Sequence, residues 1–379
     1  MKQRLCLFFL FALAACQPMP VSQTPTLPAP QVVIETITPL PVPTGTFTPS
    51  PTPTTEEIIF PYTIEGLRQR DYQSGEICVR EKLAENEQYN SYLIDYPSDG
   101  LTITGVMLVP VGEGSFPVIV MNHGFYARTV YNSGDGTDRA AEYLAKHGYI
   151  IVASDYRSWG QSDIGESFFY SGLAIDVINL LYAIPSIPQA DPSRVGMWGH
   201  SMGGGVTIKV LTILSGLDTP SAIASGYSTS IKAAVLYSTV SADHTDVIDR
   251  WGNGCFGDIL AGEQVIGCNS ADVVPLDLPG DLLTAYANAP NDPEMMKEIS
   301  PIFHLDQIDA PIQIHYGTRD GLVYCGTPPE WSLKLTQALR DANKDVELYQ
   351  YENEGHSFVG QPWFEFMSRV LRFFNRNLK

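Results

Sequence analysis

Basic charge is scarce in this chain. Lys and Arg number 23 against 42 Asp and Glu over 379 residues, a formal charge of −19. Nucleic-acid binding needs clustered Lys and Arg against phosphates, so that class of partner is excluded. The same acidity disfavours direct binding to anionic membrane surfaces. Long apolar runs are missing as well. Leu5 to Ala15 is apolar for 11 residues, short of the roughly 20 that cross a bilayer. No later segment stays apolar long enough to serve as a transmembrane helix. Cysteine is sparse, with six residues, and no Cys/His cluster has zinc-ligand spacing. No metal and no other cofactor is expected.

What the N-terminus does contain is an address. Met1-Lys2-Gln3-Arg4 is a basic start, the apolar stretch follows, and Leu13-Ala14-Ala15-Cys16 looks like a bacterial lipobox. Residues 1–15 then read as a signal peptide and Cys16 as the lipidated first residue of the mature chain. That predicts an extracytoplasmic protein held to the membrane only by its lipid anchor. Residues 16–55 read as a spacer. Between 17 and 55 lie eleven prolines, ten threonines and no Lys or Arg. Such a segment cannot bury a core and should be extended and solvated.

Folded structure should begin near Glu56. Residues 56–92 read as an N-terminal extension, and 93–379 as the main domain. Strands are predicted at Thr102–Val109, Pro117–Met121, Tyr149–Ala153, Arg194–Trp198, Ala233–Leu236, Pro311–His315 and Val346–Tyr351. Helices fall between most of them, and a closing helix runs from Gln361 to Asn377 with Trp363, Phe364, Met367, Val370, Leu371 and Phe374 on one face. This alternation predicts an α/β fold with a mostly parallel central sheet and helices on both faces. Residues 241–300 lack the rhythm and carry eleven acidic residues against Arg250 and Lys297. They read as a lid-like insertion with a solvated acidic surface.

Gly199-His200-Ser201-Met202-Gly203 stands between a predicted strand and a predicted helix. This G-x-S-x-G context is that of a nucleophile elbow, which exposes a serine hydroxyl at the carboxyl end of a sheet. Serine needs a base to act. Of the histidines after Ser201, only His356 lies between the last strand and the last helix. Asp320 follows the penultimate strand, where a carboxylate can reach an imidazole and fix its tautomer. Met202 and Phe125 are the candidate backbone donors for an oxyanion, the second because Asn122-His123-Gly124-Phe125 follows an early strand. Asp155 and Arg157 read as a structural ion pair beneath the site, and His200 as a side chain packed beside the elbow. Outside the cytoplasm the even set of remaining cysteines favours disulfides, Cys255 with Cys268 and hence Cys78 with Cys325.

These motifs resemble the α/β-hydrolase fold, and in particular the catalytic domain of the prolyl oligopeptidase family and its esterase-like relatives. The resemblance runs from about Ser91 to Lys379. It rests on Asn122-His123-Gly124, Asp155-Tyr156-Arg157, Gly199 to Gly204, His315 to Asp320 and Gly355-His356-Ser357-Phe358. It implies a serine hydrolase with the triad Ser201, Asp320 and His356, acting on a small ester or a short peptide. The chain lacks room for the β-propeller that family peptidases carry, and His200 and Met202 replace the aromatic residues common beside their serine. A peptidase-like hydrolase is the first expectation, a carboxylesterase of the acetyl esterase kind the second. A catalytically inactive binding lipoprotein is the third.

Overall fold

Val118 to Met121 are four consecutive apolar residues with no exposed surface. Successive strand side chains point to opposite faces, so a run like this demands cover on both. Val118 and Val120 pack into one core, Ile119 and Met121 into another. A computed structural model describes residues 53–72, 75–216, 230–257 and 268–379. The signal-peptide and lipidation assignments, with Cys16 and most of the spacer, lie outside the described residues.

The central sheet has nine strands. In chain order the first seven are β1 Cys78–Glu85, β2 Tyr89–Ser98, β3 Leu101–Pro110, β4 Phe116–Asn122, β5 Ile150–Ser154, β6 Ala190–His200 and β7 Ala233–Tyr237. A separate short pair follows, β8 Gly254–Phe256 and β9 Asn269–Val274, and then β10 Ile312–Gly317 and β11 Val346–Tyr351. The spatial order is β1-β2-β3-β5-β4-β6-β7-β10-β11. From β5 to β11 all pairings are parallel, while β1, β2 and β3 run antiparallel at one end. This is the α/β-hydrolase fold expected from the motifs.

Helices Asp138–Ala145 and Gly360–Leu378 cover one face of the sheet, burying Ala141, Leu144, Phe366, Met367 and Phe374 against Ile119, Ile151 and Val235. Helices Ser171–Ala183, Met202–Leu214 and Pro329–Asp341 cover the other. Every residue of Met202–Leu214 is buried, the pattern of a helix enclosed on all sides.

Five expectations need correction. Residues 78–92 are not separate from the sheet. β1 and β2 extend it beyond the first predicted strand. All eight residues of β1 are exposed, so it has no apolar face for a periodicity to show. In the closing helix Phe364 is exposed and Leu371 half-buried, while Phe366, Phe373 and Leu378 are buried. Arg157 does not pair with Asp155. It binds Asp176, which has no exposed surface, at 2.8 Å, and Asp99 at 3.4 Å. Asp155 instead accepts hydroxyls of Thr104, Tyr131 and Ser133.

One of the two expected disulfides is present. Cys255 and Cys268 are bonded, but Cys78 and Cys325 are free and exposed. Cys78 begins the edge strand β1, whereas Cys325 follows β10, seven strand spacings away in the sheet order. At about 4.8 Å per spacing that is on the order of 30 Å, far beyond the roughly 6 Å between bridged Cα atoms. Within the insertion, Asp272 departs from a solvated surface. It is buried and accepts the amides of Phe169 and Tyr170 and the hydroxyl of Tyr286.

Candidate active site

The turn from β6 into helix Met202–Leu214 places Ser201 at φ 56°, ψ −122°. Non-glycine residues rarely adopt this conformation, and a surrounding structure must hold it. Here the Ser201 amide donates to the Tyr237 carbonyl at 3.0 Å. The Ser201 carbonyl accepts from the amides of Gly204 at 2.9 Å and Val240 at 3.1 Å. Two flanking glycines make the turn possible. A Cβ at Gly199 would lie 2.2 Å from the Gly203 carbonyl oxygen, and one at Gly203 would lie 2.0 Å from that of Asn122.

Asp320 lies in the turn after β10, and His356 between β11 and the closing helix. His356 Nδ1 is 3.0 Å from each carboxylate oxygen of Asp320. Oδ1 also accepts the amides of Gly321 at 2.7 Å and Thr327 at 2.9 Å, and the Thr327 hydroxyl lies 2.8 Å from Oδ2. Burial pushes the Asp320 carboxyl up. The hydrogen bond and charge of His356, with the Thr327 and Gly321 donors, outweigh burial and hold it below the usual range. The carboxylate is therefore ionised, and its proton-accepting oxygens fix the His356 tautomer with Nδ1 protonated. That leaves Nε2 as an acceptor. Ser201 and His356 line one cavity. Thr327 was not visible in the sequence. It stands seven residues beyond Asp320, and nothing in its local pattern marks it.

His200 packs where expected, stacked on Tyr237 with ring centroids 4.5 Å apart. Its Nε2 lies 3.0 Å from the His356 carbonyl and donates to it. The ring is half-buried in the folded chain. Burial, then the neighbouring His356, push its pKa down to about 3. His200 is thus a neutral brace for the His356 loop.

Of the oxyanion candidates, Met202 begins the helix after Ser201, and Phe125 borders the cavity. Between them, a Cβ on Gly124 would lie 3.1 Å from that of Ser201. The loop carrying Phe125 thus passes against the serine. His123 supports it, with Nδ1 2.7 Å from the Gly124 carbonyl and Nε2 3.1 Å from that of Asp155.

Burial lowers the pKa of His123, His244 and His315 as well as His200. Arg369 adds to the effect at His315 and Lys209 at His244. With folded values below the ordinary 6.5, the unfolded chain takes up protons first as pH falls. Their contribution is complete above pH 6.5 and is lost as pH drops beneath it. Between pH 6.5 and 5, urea midpoints are expected to fall steadily, with uptake of more than one proton on unfolding. Level midpoints across that window would contradict the neutral burial of these rings.

The cavity has a volume of about 150 Å³. Phe125, Tyr170, Met202, Val240, Trp251 and Ala271 give it mostly apolar walls, and the free thiol of Cys325 borders it. Three of its lining residues, Asn269, Ser270 and Ala271, belong to β9 of the insertion. The insertion therefore forms one wall of the site. Among the described residues, no group of three His, Cys, Asp or Glu side chains is placed to hold a metal ion, and no helix is long and apolar enough to cross a membrane.

The family model BD-FAE matches residues 105–339, more than half of the 379 residues. The chain belongs to the BD-FAE family. The matched span contains Ser201 and Asp320, and His356 lies beyond its end. This BD-FAE chain is 29% identical over 152 residues to a lysophosphatidylserine lipase ABHD12 of Danio rerio, covering 36% of the chain and 37% of that relative. It is 25% identical over 281 residues to the uncharacterized peptidase YuxL of Bacillus subtilis, covering 70% of the chain and 35% of that relative. It thus spans little more than a third of the length of either.

Among solved structures, the acetyl xylan esterase from Paenibacillus sp. R4 superposes with a TM-score of 0.55 at 18% identity, over 88% of this chain and 98% of the esterase. A puromycin-hydrolyzing peptidase of Mycobacterium tuberculosis gives 0.53 at 19% identity, over 78% of this chain and 41% of the peptidase. At these identities the likeness establishes the α/β-hydrolase fold for the BD-FAE chain.

Proposed function

We propose that this protein is a serine hydrolase that cleaves esters of short carboxylic acids through an acyl-enzyme. The observation that carries the reading is His356 Nδ1 at 3.0 Å from both oxygens of a buried Asp320, with Ser201 on its strained elbow beside the same cavity. Ser201 Oγ attacks the substrate carbonyl while its proton passes to His356 Nε2. Asp320 stabilises the resulting imidazolium. The oxyanion takes hydrogen bonds from the Met202 and Phe125 amides. The tetrahedral intermediate collapses, and the leaving alcohol departs with the proton from Nε2. Water then repeats the sequence on the acyl-serine and releases the acid.

Two observations favour ester over peptide. A cavity of about 150 Å³ is the size that holds benzene in an engineered protein, which suits a short acyl group better than a peptide segment. The acetyl xylan esterase also matches nearly end to end, whereas less than half of the peptidase has a counterpart here. A fluorophosphonate probe on the purified chain tests the reading. Mass spectrometry is expected to place the adduct on Ser201, and p-nitrophenyl acetate to be turned over faster than amino-acid p-nitroanilides. No adduct at Ser201 would leave only a binding protein on a hydrolase fold. Faster cleavage of the anilides would make it a peptidase.

A further inference from the structure

Ser270 is 2% exposed and sits in β9, on the wall of the cavity that Ser201 and His356 share. Its hydroxyl is buried and has no hydrogen-bond partner among the described residues. Folded proteins leave few buried polar side chains in that condition, and each calls for an explanation. Relaxation of the backbone does not supply a partner, because the strand is held on several sides. The Ser270 carbonyl accepts from Arg128 Nη2 at 2.9 Å. Val273 and Ser167 exchange two backbone hydrogen bonds of 2.9 Å. The Cys255–Cys268 disulfide closes the strand's near end. The neighbouring polar side chain is already engaged, since Asn269 Oδ1 accepts the Ala271 amide at 3.1 Å.

A serine hydroxyl has one torsion, χ1, and can both donate and accept. Ser270 lines the cavity, and rotation about that bond requires no movement of the strand. The surrounding walls are apolar apart from the reacting pair, Cys325, Asn269 and the Tyr170 hydroxyl, which is hydrogen-bonded to the Asn269 side chain. We infer that Ser270 is a specificity-determining residue, whose hydroxyl bonds an oxygen carried on the substrate's acyl group. The favoured substrates are then esters of short oxygen-bearing acids, with an alkoxy, hydroxy or oxo group a few atoms from the carbonyl, over plain alkanoates of equal size. This rests on the hydrolase reading above and adds the substrate class to it.

Matched substrates test the point. Methoxyacetyl and butyryl p-nitrophenyl esters differ by oxygen for methylene at one position, and 3-methoxypropanoyl and pentanoyl esters differ one atom further out. The ratio of kcat/KM within each pair is measured for the full chain and for Ser270→Ala. Intrinsic ester reactivity cancels when the same pair is compared between the two proteins. In at least one pair the preference for the oxygen-bearing ester is expected to fall about tenfold in Ser270→Ala, at an unfolding temperature no lower than the parent's. Ratios within twofold of the parent in both pairs would overturn the inference while leaving the hydrolase reading intact. Absence of any Ser201 adduct in the parent would instead overturn that reading, and this inference with it.

Discussion

Alanine at Ser201 and alanine at His356 are each expected to lower kcat on p-nitrophenyl acetate by about 10⁵- to 10⁶-fold, and the double variant by no more than either alone. Without Oγ there is no atom to acylate. Without the imidazole, Oγ keeps its proton and remains a weak nucleophile. The two groups act as one unit, so removing the second after the first costs little. Asp320→Asn should cost less, about 10⁴-fold, because its role is to hold the tautomer and the imidazolium. Its other contacts, to Gly321 and Thr327, also help keep the loop in place. Single-turnover and steady-state rates on the parent and the four variants check this. Additive losses in the double variant, or more than 1% of parental kcat in either single one, would mean that these residues do not work together.

Asp176→Ala is expected to lower the unfolding temperature by on the order of 10 °C. Asp176 is fully buried. It accepts from the Arg157 amide, Nε and Nη2 and from the Ser98 hydroxyl. Burial alone would lower the Arg157 pKa, but the charge of Asp176 and its hydrogen bonds raise it above the ordinary value. Arg157 therefore stays charged inside the fold, and removing Asp176 leaves it only the longer contact to Asp99 at 3.4 Å. Breaking a buried pair in this way costs about 3–5 kcal/mol, which for a domain of this size corresponds to roughly 2–4 °C per kcal/mol. Replacing both partners, as Arg157→Met with Asp176→Leu, should cost less than the single change. Circular dichroism melts of the three proteins decide it. A shift below 2 °C for Asp176→Ala would show the pair to be solvated or replaceable.

The parts of the site that could be read in the sequence are those fixed by topology. Val118–Met121 and Ile150–Ala153 announce buried strands because both faces must be apolar. Ser201 follows one such strand and precedes an enclosed helix. Asp320 and His356 then follow from chain order alone, since only a loop after a late strand reaches the elbow. The residues that escaped are those whose role depends on approach from elsewhere in the chain. Thr327 steadies Asp320 across a loop with no periodicity. His200 braces a segment 156 positions away. Ser270 reaches the cavity because the insertion folds over it. β1 gave no signal because it buries nothing, and Cys78 seemed a partner for Cys325 only because number, not distance, is visible in a sequence.

The thiol of Cys325 borders the cavity that Ser201 and His356 line and has no part in the proposed acyl transfer. A soft electrophile can therefore be tethered there while the hydroxyl at 201 is left untouched. The position offers a handle for delivering candidate ligands to the pocket one at a time, and for ranking fragments by how long each stays once attached.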